Sequence, residues 1–289
     1  MTLLNTSGVI TIGSATVYCT TLTYNPGSTV SAKKSGGRVT AIGQNVLAAM
    51  PKITFTTSDV SAILGSVSVL GSALDTVSVV AYISGLTNEG VRGTATSYTP
   101  SKGLIVIDSI TYKKNDIATV SGTIHAASTD GTTDPFIISD AASMPSAVSA
   151  IVQALGSVSL NGTALSFVDT VTYTANNTVQ SVISNGMLYA TFTNLLEQEP
   201  SFSIVSNDTI TVRAMIGQKG LNLSSTGLLV HGYATASGVL TQTTANTLGT
   251  KIGMATLQDN NFSQGALGSV SIKVDASWNE SDASSVLIS

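Results

Sequence analysis

The chain has 289 residues and a mass of 29.4 kDa, with 43% hydrophobic residues, only 10% charged residues and a net charge of −4. Ser and Thr, 40 of each, take the place of the charged residues that an average protein carries. This composition excludes a charged disordered tail, a coiled coil and a nucleic-acid binder that depends on basic patches.

Short runs that alternate apolar with polar residues and are rich in Val, Ile, Thr and Tyr predict β-strands along the whole chain. In the first half these runs are 8–12, 15–24, 52–56, 77–83, 104–107, 109–112 and 118–124. In the second half they are 157–160, 165–173, 187–193, 202–205, 209–215, 228–233 and 270–274. Because helical periodicity is nearly absent, the sequence predicts an all-β protein.

Two segments are compatible with short helices. Residues 58–64 begin with a capping Ser-Asp pair, and residues 145–155 have a proline near the start and an apolar face. The second segment is also the best candidate for a linker. A hairpin is expected between residues 16–24 and 39–47, and its loop over 25–38 is unusually long and rich in glycine.

The sequence repeats itself. When it is shifted by 149 residues without a gap, residues 15–59 lie on 164–208 with 13 identities in 45 positions, where this composition alone gives about four. The match resumes near a shift of 150, where 107–126 lies on 257–276. Tyr, Pro and Asp residues fall in step: Tyr24 with Tyr173, Pro51 with Pro200, and Asp59 with Asp208.

This repeat predicts two tandem β-sandwich or barrel domains, each with at most one short helix. We expect a first domain over 1–142, a linker that is compatible with a short helix over 143–156, and a second domain over 157–289.

No residues form a recognisable catalytic constellation, so we expect a protein that is not an enzyme and that needs no cofactor or metal. His125 and His231 do not correspond between the repeats, and the single Cys19 supplies neither a zinc cluster nor an intrachain disulfide. Neither a Gly-x-Ser-x-Gly elbow nor a phosphate-binding loop occurs. The segment 130–134 has the character of a β-turn, and the pair Glu197 and Glu199 that of a solvated face.

A duplicated β domain without a catalytic site points to assembly or binding. A ring that needs six similar domains can use three double-domain chains, and its strand edges are then covered by neighbours. A surface rich in Ser and Thr and poor in charge suits burial between subunits better than a free monomer.

The order of segments resembles the major tail proteins, or tail-tube proteins, of long-tailed bacteriophages. The resemblance rests on residues 51–59 after a hairpin with a long Gly/Ser loop, then 102–107, 118–124 and 130–135. It implies β-sandwich domains that stack as rings around a channel for DNA, and the repeat is similar to the variant in which two-domain chains form trimers that mimic hexamers.

The resemblance implies further expectations. The partners are other copies of the chain, other tail proteins and DNA that passes without specific binding; no membrane is involved. The protein is expected to be made in the host cytoplasm and to reside in the virion tail. Channels in this family tend to be acidic, which lets a phosphate chain slide. The long hairpin loops imply subunit or inter-ring contacts at Asn25, Lys33, Lys34, Arg38, Asn176 and Asn177.

Two alternatives remain at this stage. A double-jelly-roll major capsid protein also forms pseudo-hexameric trimers. A surface array or adhesin of repeated β domains would normally carry a secretion signal, and the start of this sequence lacks the basic and apolar segments of one. The six residues that match between the repeats are expected to be structural: Tyr24, Tyr173, Pro51, Pro200, Asp59 and Asp208. For the two aspartates, a place in an acidic channel and a cap on a short helix are equally good explanations.

Overall fold

The computed structural model describes residues 5–33, 43–68, 71–86, 92–145, 152–224, 226–236, 239–261, 268–277 and 287–288. Their regular structure is almost entirely β, as the sequence predicts. The elements of the first half are β1 (Asn5–Ile12), β2 (Ala15–Asn25), β3 (Ser28–Lys33), β4 (Gly43–Ala49), β5 (Lys52–Thr57), α1 (Val60–Ser66), β6 (Ser72–Ala73), β7 (Val79–Leu86), β8 (Arg92–Pro100), β9 (Lys102–Lys113), β10 (Thr119–Ala127) and β11 (Phe136–Ala142).

The second half follows the same order of elements. They are β12 (Gln153–Leu160), β13 (Thr163–Leu165), β14 (Val168–Thr174), β15 (Asn177–Val182), β16 (Phe192–Gln198), β17 (Ser201–Ser206), α2 (Thr209–Ile216), β18 (Leu221–Asn222), β19 (Leu228–Ala236), β20 (Val239–Thr250), β21 (Gly253–Asn261), β22 (Ser269–Ala276) and β23 (Leu287–Ile288).

The first half is a two-layer β-sandwich. One layer has the strand order β11-β8-β7-β1, and the other has β2-β5-β10-β9, with short β6 beside β9. The strand β2 belongs to both layers, because residues 15–19 pair with β1 and residues 19–25 pair with β5, with a bulge between Cys19 and Thr21. Tyr24 of the second layer stacks on Tyr98 and meets Phe136 edge-on, so the two layers face each other across the core.

The second half repeats this arrangement. Its layers have the orders β23-β20-β19-β12-β13 and β14-β17-β22-β21-β18. The counterpart of β2 is interrupted at Ser166 and Phe167, where Phe167 adopts a φ of 53°, so the two layers separate into different sheets. The paired strands correspond one for one between the halves, and six elements (β3, β4, β5, α1, β6 and β7) begin 149 residues before their counterparts.

Alternation along the strands supplies the core. β5 buries Ile53, Phe55 and Thr57, and β17 buries Phe202, Ile204 and Ser206 with the same pattern. The opposite side chains of these strands are polar and partly solvated. Burial of one face therefore fixes the register, because a slip by one residue would move every apolar side chain to the solvent face.

Both helices begin at an aspartate that caps them. The Asp59 carboxylate accepts a hydrogen bond from Ala62 N, and the Asp208 carboxylate accepts one from Thr211 N, each at 3.2 Å. The residue two positions earlier, Thr57 or Ser206, accepts the aspartate's own N–H at 3.1 Å in both halves. These bonds satisfy N–H groups that a helix start leaves without partners. Of the two explanations for the matching aspartates, the structure shows the helix cap.

Two predicted segments differ from the structure near the helices. Residues 209–215, predicted as a strand from their β-branched residues, form helix α2, because the Asp208 cap and burial of Val212 and Ile216 outweigh strand propensity. The helix considered for 145–155 is wrong at its end, since Gln153–Leu160 is strand β12. The linker of 143–156 therefore ends before Gln153, and residues 146–151 lie outside the described residues.

The expected hairpin between 15–24 and 39–47 is also wrong. β2 pairs with β5, while β3 and β4 pair with each other as a separate two-stranded ribbon. Part of the expected loop is thus the strand β3. The second half has the same ribbon, formed by β15 and β16, and the predicted strand at 187–193 is displaced to Phe192–Gln198.

Candidate assembly surfaces

The two halves are joined edge to edge by β9 and β14. These strands pair antiparallel over five residues each, from Thr170 opposite Lys113 to Thr174 opposite Ser109. The joint makes one sheet layer of eight strands, β2-β5-β10-β9-β14-β17-β22-β21. Ile110, Tyr112, Val171 and Tyr173 are all fully buried on the core side of this joint. We call the β9–β14 pairing the internal joint.

A buried polar network reinforces the internal joint. Gln153, which is fully buried, accepts a hydrogen bond from Tyr112 Oη at 3.3 Å and donates one to Ser61 Oγ at the start of α1. Asn246 donates to the same serine at 3.1 Å, and the Gln153 carbonyl accepts from Ala118 N at 2.8 Å. The start of helix α1 in the first half is therefore hydrogen-bonded to two strands of the second half.

A second contact between the halves involves the loop after β10. The carbonyl of Gly131 accepts hydrogen bonds from Leu188 N and Tyr189 N, at 3.0 and 2.9 Å. Ser128 N donates to Ala190 O, and Ala49 N donates to Leu188 O. Asp130 accepts bonds from Thr132 N, Thr133 N and two hydroxyls, and these bonds lower the pKa of its carboxyl. The segment 128–134 is thus a closed turn, consistent with the predicted turn character.

The eight-strand layer ends in two edges that no described strand covers. At one end, residues 21–25 of β2 pair with β5 on one side only. At the other end, β21 pairs with β18 only at Met254 and Ala255, and its outer edge from Leu257 to Asn261 pairs with no described strand. Unpaired edges expose backbone groups that readily pair with another chain.

One face of the eight-strand layer is lined by hydroxyl groups and faces away from the core. The strand registers place these side chains on it together: Thr21, Thr23, Thr54, Thr56, Ser109, Thr111, Thr119, Ser121, Thr123, Thr170, Thr172, Thr174, Ser201, Ser203, Thr256 and Ser271. Some bond to each other, as Ser109 does to Ser121 at 2.8 Å and Thr111 to Thr172 at 3.4 Å. We call this surface the hydroxyl face.

Charges on the hydroxyl face are few and of both signs. Lys52, Lys113 and Lys273 lie there with Asp108, Asp259 and Asp275, and Lys273 Nζ is 2.7 Å from an Asp275 oxygen. Asp108 accepts a hydrogen bond from Thr123. This face does not carry the net acidity that the family resemblance implies for a channel.

The ribbons β3–β4 and β15–β16 expose apolar side chains. Leu47 and its counterpart Leu196 are 59% and 58% exposed, and Val46 and Phe192 are also exposed. A two-stranded ribbon alone is marginally stable. Exposed apolar groups at equivalent positions of both ribbons therefore indicate surfaces suited to further contacts.

The predicted contact residues fall into three groups. Asn177 donates its amide to Ile107 O at 2.8 Å, and Asn176 donates to Glu199 O at 2.8 Å, so both stabilise contacts within the chain. Asn25 accepts Gly27 N in the turn before β3. Lys33 lies at the end of β3, with its side chain outside the described part. Lys34 and Arg38 lie outside the described residues, and a contact role for all six stays a prediction.

The prolines that match between the repeats occupy equivalent places. Pro51 and Pro200 are buried, and their carbonyls accept hydrogen bonds from Ala126 N and Ala276 N. Each stands just before a strand, where the missing N–H of proline costs no ladder bond.

Outside these surfaces, the described residues offer little for chemistry. Burial lowers the pKa of His125, and Lys52 beside it acts in the same direction, whereas Asp108 opposes them. Burial raises the pKa of Cys19 to about 12, so its thiol stays protonated at neutral pH. Within the described ranges, no three His, Cys, Asp or Glu side chains converge as a metal site, and no helix has the length and apolarity to span a membrane.

Comparison of the chain with protein-family models gives no match, and comparison with curated protein sequences gives none either.

Proposed function

We propose that the chain arose by duplication and is a virion structural protein that self-assembles into stacked rings, forming the tail tube of a long-tailed bacteriophage. The rings would contain three chains and six similar domains. The tube would conduct DNA without binding it specifically, and the protein would act without a cofactor and without catalysing a reaction.

One observation supports this proposal most. Two sandwiches of the same strand order lie side by side and share one continuous layer of eight strands, and at each end of that layer an edge is left that no described strand covers. Because the two ends of the layer differ, a contact between one end of a chain and the other end of the next chain would be heterologous. Repetition of a heterologous contact by rotation generates a ring when the rotation closes.

The hydroxyl face is the surface that we assign to the channel. It lies opposite the core on the layer that would continue around the ring. Ser and Thr hydroxyl groups carry no charge, and some of those on this face bond to each other. They therefore attract a phosphate backbone little, since non-specific binding of DNA depends on exposed Lys and Arg. Two of the lysines of this face lie beside aspartates: Lys273 is 2.7 Å from Asp275, and Lys113 is 4.0 Å from Asp116.

The ribbons are the surfaces that we assign to contacts between rings. In the described chain each ribbon forms a separate two-stranded sheet, apart from one bridge between Ala49 and Tyr189. Burial of their exposed leucines against a neighbouring ring would remove apolar area from water, which stabilises association by about 25 cal/mol per Å².

Electron microscopy of the concentrated, purified protein tests the proposal. We expect hollow tubes with regular transverse striations. Closed shells or flat hexagonal sheets would support the capsid alternative, and a protein that stays monomeric at all concentrations would contradict self-assembly and favour an isolated binding module.

A further inference from the structure

We propose that the open edge of β21 binds the open edge of β2 of a second copy of this chain, in the register that the internal joint uses. The inference deepens the proposed self-assembly by naming the two surfaces and the residue pairs that meet. We replace each residue of the β9–β14 pairs by its counterpart in the other half, in β21 and β2. The resulting contact has Asn261 opposite Thr23, Asn260 opposite Tyr24 and Asp259 opposite Asn25 of the next copy.

The edge of β2 resembles the edge of β14 in the internal joint, but no described strand covers it. Tyr173 of β14 is fully buried by β9, whereas its counterpart Tyr24 is only partly buried. A groove of about 220 Å³ runs along this edge between Gly8, Leu22 and Ile83. The repeat aligns Ile83 with Gly232, and in the internal joint the ring of Tyr112 from the other half packs against Gly232. The groove thus corresponds to space that the internal joint fills with a side chain from β9.

The β21 end is equally uncovered. A groove of about 440 Å³ lies between α2 and β21 and is lined by Ile210, Arg213 and Leu257. Ile210 is 83% exposed. Its counterpart in α1 is Ser61, which the second half covers through Gln153 and Asn246. At this end, too, the part of the surface that corresponds to the internal joint has no partner within the described chain.

The internal joint and the proposed joint between copies differ at two residues, and these differences affect their strengths. Ile110 is fully buried in the internal joint, while the residue at its place in β21 is the exposed Asn260. Asp259 likewise stands where β9 has Ser109. An amide and a carboxylate cost more to desolvate than an isoleucine and a serine. The joint between copies is therefore weaker than the internal joint, and assembly depends on concentration.

Engineered disulfides test the register. In the internal joint Thr111 and Thr172 face each other with their hydroxyl oxygens 3.4 Å apart, and the pair with equivalent positions is Asn261 and Thr23. In a Cys19→Ser background, Thr23→Cys with Asn261→Cys should give a ladder of covalent oligomers under mild oxidation. As a first control, Thr111→Cys with Thr172→Cys should give only an intrachain disulfide. As a second control, Thr54→Cys with Asn261→Cys should give far fewer covalent oligomers, because Thr54 lies on β5, one strand away from the proposed contact.

A gain-of-function variant tests the same contact without risk to folding. Asn260 is exposed, so Asn260→Ile leaves the monomer intact and restores the residue type of the internal joint. We expect it to lower the concentration at which half the protein is associated by on the order of tenfold. Ile210→Asp should raise that concentration by a similar factor. Sedimentation measures both.

The outcomes separate this inference from the proposed function. If tubes or rings form, but the Thr23→Cys, Asn261→Cys variant gives no covalent oligomers and Asn260→Ile has no effect, the edge pairing is overturned and self-assembly is still supported. A ladder that ends at a small closed oligomer without tubes would support the pairing and contradict the tube. A monomer at every concentration, with neither ladder nor gain from Asn260→Ile, would overturn both.

Discussion

At the scale of single residues, two tyrosines of the internal joint differ in how their hydroxyl groups are satisfied. Tyr112 Oη donates to Gln153, whereas Tyr173 Oη is buried with no hydrogen-bond partner in the described part of the chain. Burial raises the pKa of both phenols, so each stays neutral across the physiological range. A buried hydroxyl without a partner reduces stability, because it loses its bonds to water without replacing them.

These tyrosines form a matched pair for mutagenesis. Tyr173→Phe removes an unsatisfied group, so we expect the free energy of unfolding to rise by about 1 kcal/mol. Tyr112→Phe removes one bond to the buried Gln153, so we expect a loss of about 1 kcal/mol. Urea unfolding measures both changes. Equal losses in the two variants would contradict this description of the joint.

His125 gives a prediction for acid conditions. Its pKa is lowered in the folded chain by burial and by Lys52, so the folded state binds a proton at lower pH than the unfolded state does. The contribution of His125 to the free energy of unfolding is fully present above the ordinary histidine pKa of 6.5. It is lost as the pH falls below that value. His125→Gln should therefore lose less stability between pH 7 and pH 5 than the unaltered chain does. Identical losses in urea unfolding at the two pH values would show that His125 does not contribute.

At the scale of elements, sequence patterns identify the strands that have one buried face. β5 and β17 alternate strictly and are predicted well. The ribbon strands β3 and β15 are missed because both of their faces are largely exposed, which leaves no apolar alternation to detect. α2 is missed because Thr209, Ile210, Thr211 and Val212 are β-branched, although Asp208 repeats the cap of α1. The pairing of β9 with β14 joins distant segments, and a single sequence contains no signal for it.

The ribbons give a prediction at this scale. Leu47→Lys and Leu196→Lys place a charge where the isolated chain already exposes the side chain to water, so the free energy of unfolding should change by less than about 0.5 kcal/mol. If the ribbons contact neighbouring rings, both variants should still form rings but should fail to stack. Intact long tubes from both variants in electron micrographs would remove the ribbons from the stacking contact.

At the scale of the whole molecule, the described residues form a pair of similar sandwiches, and no described strand covers the two outer edges of their shared layer. The internal joint brings the halves together in the way that we propose for successive chains, and the exposed Asn260 keeps the contact between chains the weaker of the two. Each ring would then contain two kinds of joint in alternation. The face of the shared layer that lies opposite the core carries hydroxyl groups in both halves, so a ring built this way would present a continuous hydroxyl lining.

End-on averages of the assembled protein in electron micrographs test the proposed three-chain ring. We expect a ring with a central hole and six similar lobes, which at higher resolution resolve into three identical pairs, with a particle mass of three chains per ring. A ring whose lobes do not alternate in pairs, or a solid particle without a central hole, would contradict it.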